Sequence, residues 1–408
     1  MNTELQGMQE QICALWLSAK TGIRPIVKNR LFDSFKSFQG IYEGQKKDFE
    51  SIEGIRPSDI RALENKELKK AEDAFAYCGK NDISVLMIDS PEYPLRLKNI
   101  FDPPLVLFVK GKLPDIDANP VISVIGTRKA DAYGLKISGD MAYEISLCGG
   151  TVVSGLTAGA DAAAAEGALA SGKPMVGVLG TSHDKCTSTL SRKVASQGAL
   201  ISEYPPGTEP NKSFFRARNR IAAGISVGVV VTQAPENSGT KLFASEAAEQ
   251  GKDVFVVPGN VDSENSMGIY ELMRDGAPPV IRGKEVLREY VSMFPDRIRL
   301  DAADNAERPE PSKKSRSASS PRKTASASSK PAQKHSPVQP PRNSSAERLA
   351  ALPDRQRSAA ECLKDGAKFV EEIMYITGIP VNELLSMLTL LEIKGIVKRN
   401  EDGRYILK

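Results

Sequence analysis

Between residue 83 and about residue 291 the chain repeats one unit: a short β-branched run, a glycine-containing loop, then a helix-length segment. The runs fall at 121–125, 151–154, 175–179, 200–202, 228–232 and 254–257, and nearly every position in them is apolar. Strands of that kind have both faces covered, and alternation with helices makes the connections crossovers between parallel neighbours. The pattern commits this stretch to an α/β fold with a doubly wound parallel sheet. Ligands of such sheets sit where strands end and helices begin, so the loops after the runs are the places to look for chemistry.

Composition sets the remaining bounds. With 408 residues, 40% hydrophobic and 26% charged, the chain can build a full-sized core, and a wholly disordered, collagen-like or disulfide-framework protein is excluded. Five scattered cysteines with no CxxC pair and only two histidines encode neither a zinc site nor a disulfide frame. No metal and no cofactor are expected. No run approaches the roughly 18 apolar residues of a membrane helix, and MNTELQGMQEQI lacks the pattern of a signal peptide. The expectation is a soluble, reduced, cytoplasmic protein without membrane contact.

The sequence divides into four parts. Residues 1–80 carry helical periodicity over 12–18, 27–35, 38–42 and 57–75. Within them IEGIRPSDI (52–60) has the outline of a helix–hairpin–helix, with Arg56 where a second glycine would stand, and packing is the favoured role. Residues 81–300 hold the sheet. Residues 301–348 read as a disordered basic linker: 305–346 contain eleven serines, seven prolines and nine Lys/Arg against two acids, with one large aliphatic residue, Val338. Residues 349–408 read as three helices (358–364, 368–377, 380–394) and a hairpin about an Asp-Gly turn, a winged-helix-like outline. Its third helix carries Glu383 and Glu392 against Lys394, which favours protein contact over base reading.

Four segments could carry chemistry. The first is Gly126-Thr127-Arg128-Lys129, where a strand end, a hydroxyl and two cations precede a helix and form a phosphate cradle. The second runs from Gly155 through Gly159 to Asp161, the aspartate placed to cap a helix or support Arg128. In the third, Lys212, Phe214, Phe215, Arg216, Arg218, Asn219 and Arg220 lie within nine residues. Aromatic faces stack unpaired bases while cations follow phosphates, so this is single-strand chemistry. Helical spacing puts Lys212, Phe215 and Asn219 on one face, with one phenylalanine in the core and Arg218 able to turn inward. The fourth is Ser238-Gly239-Thr240-Lys241, again at a helix start. His183 is a lone histidine, expected at the surface. Neither GxGxxG nor a P-loop is present.

These residues bring the sequence close to a known family. VIGTRKADAYG (124–134), VVSGLTAGADAAA (152–164), ISEYPPGT (201–208), RARNRIAAGIS (216–226), SGT (238–240) and VFVVPGNVD…GIYELMRDGA (254–277) resemble, in order, the DNA-processing protein A (DprA/Smf) family. The resemblance implies an extended Rossmann-like domain, a small N-terminal helical (SAM/helix-hairpin-helix-like) domain and a C-terminal winged-helix-like domain. It further implies a homodimer through the Rossmann-like domain that binds single-stranded DNA and loads RecA recombinase onto it in natural transformation, without catalysis. Arg128 then corresponds to a pocket arginine, Lys212 and Phe215 to a pocket lysine and stacking aromatic, and Arg218, Asn219 and Arg220 to the family's RNR. Thr127 stands where the family usually has serine, Ala158 where it has arginine, and Ala165 near a frequent histidine. The alternative is a nucleotide phosphoribohydrolase-like enzyme of related fold, with Glu246 as its carboxylate.

Net charge supports the DNA reading through placement. Residues 305–346 hold +7, so the other 366 residues sum to −3 against a chain total of +4, yet Arg128, Lys129, Lys212, Arg216, Arg218, Arg220 and Lys241 are expected on one edge of the sheet.

Overall fold

The computed structural model describes residues 2–304 and 352–407, apart from 365, 380, 394–395 and 401–403. The chain forms two compact units that divide near residue 314.

The first unit opens with six helices: α1 (Asn2–Ala19), α2 (Pro25–Phe35), α3 (Phe38–Glu43), α4 (Lys46–Glu50), α5 (Pro57–Glu64) and α6 (Lys69–Lys80). The helix expected over 57–75 is broken between α5 and α6. Asn65 leaves helical geometry at ψ 96°, and its carbonyl accepts from Trp16 Nε1 and Lys20 Nζ, both at 3.0 Å. A tertiary bond thus overrides local periodicity. Between α4 and α5, Gly54 takes φ +74°, and Arg24 and Arg30 of neighbouring segments donate to the Gly54 and Glu53 carbonyls. The Arg56 amide and guanidinium both turn to Asp59. The hairpin's amide is therefore occupied by its own carboxylate, in keeping with a packing module.

The sheet follows: β1 (Ile83–Met87), α7 (Leu95–Lys98), β2 (Val106–Gly111), β3 (Val121–Ile125), α8 (Ala132–Leu147), β4 (Thr151–Ser154), α9 (Ala160–Ala170), β5 (Val176–Val178), α10 (Thr189–Gln197), β6 (Ala199–Ser202), α11 (Lys212–Ile225), β7 (Gly228–Val231), α12 (Gly239–Glu249), β8 (Asp253–Val256), α13 (Met267–Arg274) and α14 (Gly283–Arg288). Strand order is β1-β2-β6-β5-β4-β3-β7-β8. The six strands from β6 to β8 are parallel, as the sequence pattern requires, and β1 and β2 extend one edge in antiparallel register. The winding direction reverses between β3 and β7.

Buried side chains cover both faces. On one face Trp16, Leu31, Phe38 and Leu63 of the N-terminal helices share a continuous cluster with Phe108, Val153, Val176 and Val229 of the sheet. The helical module therefore has no separate core. On the other face Ile122, Val152 and Val230 meet Met141, Ala165, Ala168 and Leu287. There α8 and α9 touch backbone to backbone: a Cβ on Gly167 would lie 2.1 Å from the Gly139 carbonyl oxygen. A short 3₁₀ turn, Leu300–Ala303, with Ala303 buried, carries the folded body to Asp304, past the expected boundary at 300. The rest of the predicted linker lies outside the described residues.

The second unit comprises α15 (Asp354–Glu361), α16 (Val370–Thr377), α17 (Val381–Ile393), β9 (Val397–Arg399) and β10 (Tyr405–Leu407), with β9 and β10 antiparallel. It has its own core of Leu352, Ala359, Leu363, Ile373, Leu384, Leu388 and Leu391. Its first helix begins four residues ahead of the expected 358. Gly378, at φ +66°, ends α16 where the sequence places a stop. Pro380, Lys394 and the Asp-Gly turn lie outside the described residues.

Candidate nucleic-acid interface

The reversal between β3 and β7 is where a doubly wound sheet ordinarily opens a ligand crevice. Here protein fills it. Gln233, buried just past β7, donates from Nε2 to Asp131 Oδ2 at 2.9 Å and accepts the Asp131 amide at Oε1. Its carbonyl also takes the Thr127 N–H at 2.9 Å. Gly134 leaves the space, since a Cβ there would fall 1.9 Å from Gln233 Oε1. The usable edge is displaced toward the ends of β3, β4 and β5.

Two loops stack at that edge. Gly159, at φ +86°, lets the β4 loop lie against the β3 loop, and any Cβ would meet the Thr127 and Arg128 carbonyl oxygens at 2.5 Å. The Ala160 amide donates to the Thr127 carbonyl at 3.2 Å. Asp161, buried in the first turn of α9, accepts from Gly126 N and from the Thr157 hydroxyl. The stack leaves Arg128, Lys129 and Ala158 exposed to solvent.

Beneath the loops Arg218 closes the floor. It is 5% exposed, and its Nη1 donates to the Gly155 and Val178 carbonyls at 2.6 and 2.7 Å, tying the ends of β4 and β5 together. The Gly155 side is equally tight, with a Cβ there 2.4 Å from Nη1. Burial lowers the Arg218 pKa and raises that of Asp161, while attraction between the two opposes both shifts. Asp161 thus serves Arg218 rather than Arg128.

Arg220 is also internal. Its guanidinium makes a paired contact with Glu203 at 2.6 and 3.0 Å and lies 3.3 Å from Asp102. Arg218 and Arg220, expected to contact DNA directly, are instead buried and bonded to protein, Arg218 through Nη1 and Arg220 through Nε and both Nη atoms. Helical spacing sets the two on opposite flanks of the face that carries Lys212 and Phe215, and each is drawn inward by its own partners, Arg218 by the Gly155 and Val178 carbonyls and Arg220 by Glu203 and Asp102.

The outward face of α11 carries the remaining features. Phe214 is buried and stacks on Tyr204, centroids 4.0 Å apart, whereas Phe215 is 44% exposed. Phe215 rests on the β5 loop, where a Cβ on Gly180 would lie 2.9 Å from its ring. Lys212 is exposed at the helix start, and Arg216 reaches Glu246 at 3.4 Å with most of its side chain still in solvent. Asn219, half-buried, also hydrogen-bonds Glu246. On the fourth loop Ser238 caps α12 by accepting the Lys241 amide. Gly239 is exposed, Thr240 half-buried, and the Lys241 ammonium pairs with Glu271. His183 is not at the surface: Nε2 sits 2.8 Å from the Phe108 carbonyl oxygen, and burial lowers its pKa below the usual 6.5.

The edge therefore joins Arg128 and Lys129 to the β4 loop, while Phe215 of α11 rests on the β5 loop with Lys212 and Arg216 exposed on the same helix. Gln233, Gly180 and Glu203 were not singled out from sequence as site residues. Gly180 closes the run at 175–179, a recoverable signal, while Gln233 has none without the topology. An open shelf with cations around one exposed aromatic suits a chain of phosphates and bases.

The family model for DNA recombination-mediator protein A matches residues 84–291. The DNA processing protein DprA of Bacillus subtilis is 36% identical over 211 residues, 51% of this chain and 71% of that protein. The DNA processing protein DprA of Streptococcus pneumoniae is 36% identical over 206 residues, 48% of this chain and 71% of that one. The X-ray structure of DNA processing protein A from Streptococcus pneumoniae superposes with a TM-score of 0.58 at 30% identity, covering 67% of this chain and 95% of that one. Sheet, loops and sequence agree, and the chain belongs to the DNA recombination-mediator protein A (DprA/Smf) family.

Proposed function

We propose that the protein binds single-stranded DNA along the carboxyl edge of its parallel sheet and delivers it to a RecA-type recombinase in natural transformation, acting as a homodimer and without catalysis. The observation that carries this reading is α11: an exposed Phe215 on the β5 loop with Lys212 and Arg216 on the same helix, at the sheet edge where the β3 loop exposes Arg128 and Lys129. A base stacks on Phe215 while its phosphates lie against the side chains of Lys212 and Arg128. Arg218 and Asp161 hold the shelf in shape, and Arg220 with Glu203 anchors the helix. Ala158 offers no charge, so Lys129 takes part of the arginine's role. The Ser238–Lys241 loop borders the shelf with weaker phosphate contacts, because Glu271 competes for Lys241.

The reading predicts salt-sensitive binding to oligothymidylate that weakens in Lys212→Ala and Arg128→Ala by about 1 kcal/mol or more each. Wild-type affinity in both variants would refute the site. An enzymatic reading has one observation on its side: Glu246 Oε2 is buried with no hydrogen-bond partner among the described residues, and burial raises the carboxyl pKa. Release of free base from a nucleotide, abolished in Glu246→Gln, would support that reading instead.

A further inference from the structure

The helix α11 has a second face. Opposite Phe215, its residues Phe214, Ala217 and Arg220 form one wall of a cavity of about 350 Å³, closed on the other side by α1, α2 and the 103–106 segment. The volume stands at the lower end of the roughly 300–1,000 Å³ typical of small-molecule sites. Leu17, Ile23, Leu105 and Val106 make it largely apolar. Among its polar lining, Lys28 and Glu203 come from different walls. Lys28 of α2 makes one hydrogen bond among the described residues, to the Ser18 carbonyl at 3.2 Å, which leaves two N–H donors. Burial pulls its ammonium down to about 8, against the attraction of Glu203. Glu203 itself is held by Arg220, and no ion pair within 4.0 Å joins it to Lys28.

Donor and acceptor thus line the same cavity without pairing. Inside the cavity Lys28 and Arg220 are set against Glu203, with Asp102 behind Arg220, and the guanidinium of Arg24 lies at the exposed rim and donates to the Gly54 carbonyl, so the interior selects neither a strong anion nor a cation. What fits is a neutral, flat, largely apolar molecule whose edge offers an acceptor to Lys28 and a donor to Glu203. Nucleobase edges carry adjacent donors and acceptors of this kind, and the Tyr204–Phe214 stack supplies an aromatic wall.

We propose that this cavity between the N-terminal helices and α11 is a nucleobase site. The base arrives either as a free nucleoside or, resting on the single-strand reading above, as a base of the strand that stacks on Phe215.

Thymidine and adenosine are the probes, followed by saturation-transfer NMR on the full chain, with oligothymidylate affinity measured in parallel. Two variants alter different walls: Ala217→Leu fills the cavity from α11, and Lys28→Met removes the donor from α2. Nucleoside binding to wild type that weakens about tenfold or more in both variants establishes the free-nucleoside source. No nucleoside binding, but a tenfold weaker oligothymidylate complex in both variants, establishes the strand source. Nucleoside affinity unchanged in either variant, or no nucleoside binding with oligothymidylate affinity unchanged in either, overturns the proposal. If wild type binds no oligothymidylate yet binds nucleosides in this variant-sensitive way, the edge reading fails and the cavity stands.

Discussion

Arg220 is basic in sequence but unavailable in the fold, because Glu203 and Asp102 surround its guanidinium. Arg220→Ala leaves the Glu203 carboxylate buried and unpaired, which should cost about 3–5 kcal/mol in urea denaturation, while Arg220→Met with Glu203→Leu recovers part of that loss. An unchanged midpoint in the single variant would contradict the assignment. His183 gives a pH signature. Its folded pKa lies below 6.5, so as pH falls through that value the unfolded chain takes up a proton that the folded chain refuses. The stability it contributes is present above about 6.5 and lost on acidification. The thermal midpoint should therefore drop between about pH 7 and pH 5.5, and less steeply in His183→Gln. At this scale the residue types were legible and their partners were not. Only the sheet order brings His183 to Phe108, 75 positions away, or Gln233 to Asp131.

Among the elements, α11 was the most legible. Period alone places Lys212, Phe215 and Asn219 on one face and one phenylalanine inside, and the structure assigns Phe214 to the core and Phe215 to solvent. The two aromatics should separate cleanly by mutation. Phe214→Ala costs stability, about 3–5 kcal/mol. Phe215→Ala leaves stability within about 0.5 kcal/mol but weakens oligothymidylate binding by about 1–3 kcal/mol. Chemical denaturation and fluorescence anisotropy on both variants check the pair; comparable destabilisation by the two would show that Phe215 is a core residue. Other elements were less readable. The break at Asn65 depends on Trp16, a partner 49 residues distant. The antiparallel strands β1 and β2 precede the strand–helix alternation and so escape a pattern built on crossovers.

For the whole molecule, the alternation of strands and helices was enough to fix the parallel sheet, while the reversal at β3 and β7 and its plug by Gln233 were visible only in three dimensions. The two units have separate buried cores, and the smaller one, with few core residues, should melt on its own at lower temperature. Calorimetry of the full chain then shows two transitions, and a single cooperative one would contradict this. Charge behaves likewise as a property of arrangement. Of the seven cations expected on the edge, Arg218 and Arg220 are internal and Lys241 is paired with Glu271, which leaves Arg128, Lys129, Lys212 and Arg216, the last touching Glu246 through Nε but mostly in solvent, as the candidates to meet phosphate. Four contacts imply a log–log salt slope of about −3 for single-stranded DNA. The decisive measurement is oligothymidylate affinity against salt for wild type and Lys212→Ala/Phe215→Ala. The account predicts that slope for wild type, and in the variant an affinity lower by at least about tenfold with a slope shallower by about 0.7. A variant that binds as tightly as wild type, with the same slope, would show that the strand lies elsewhere.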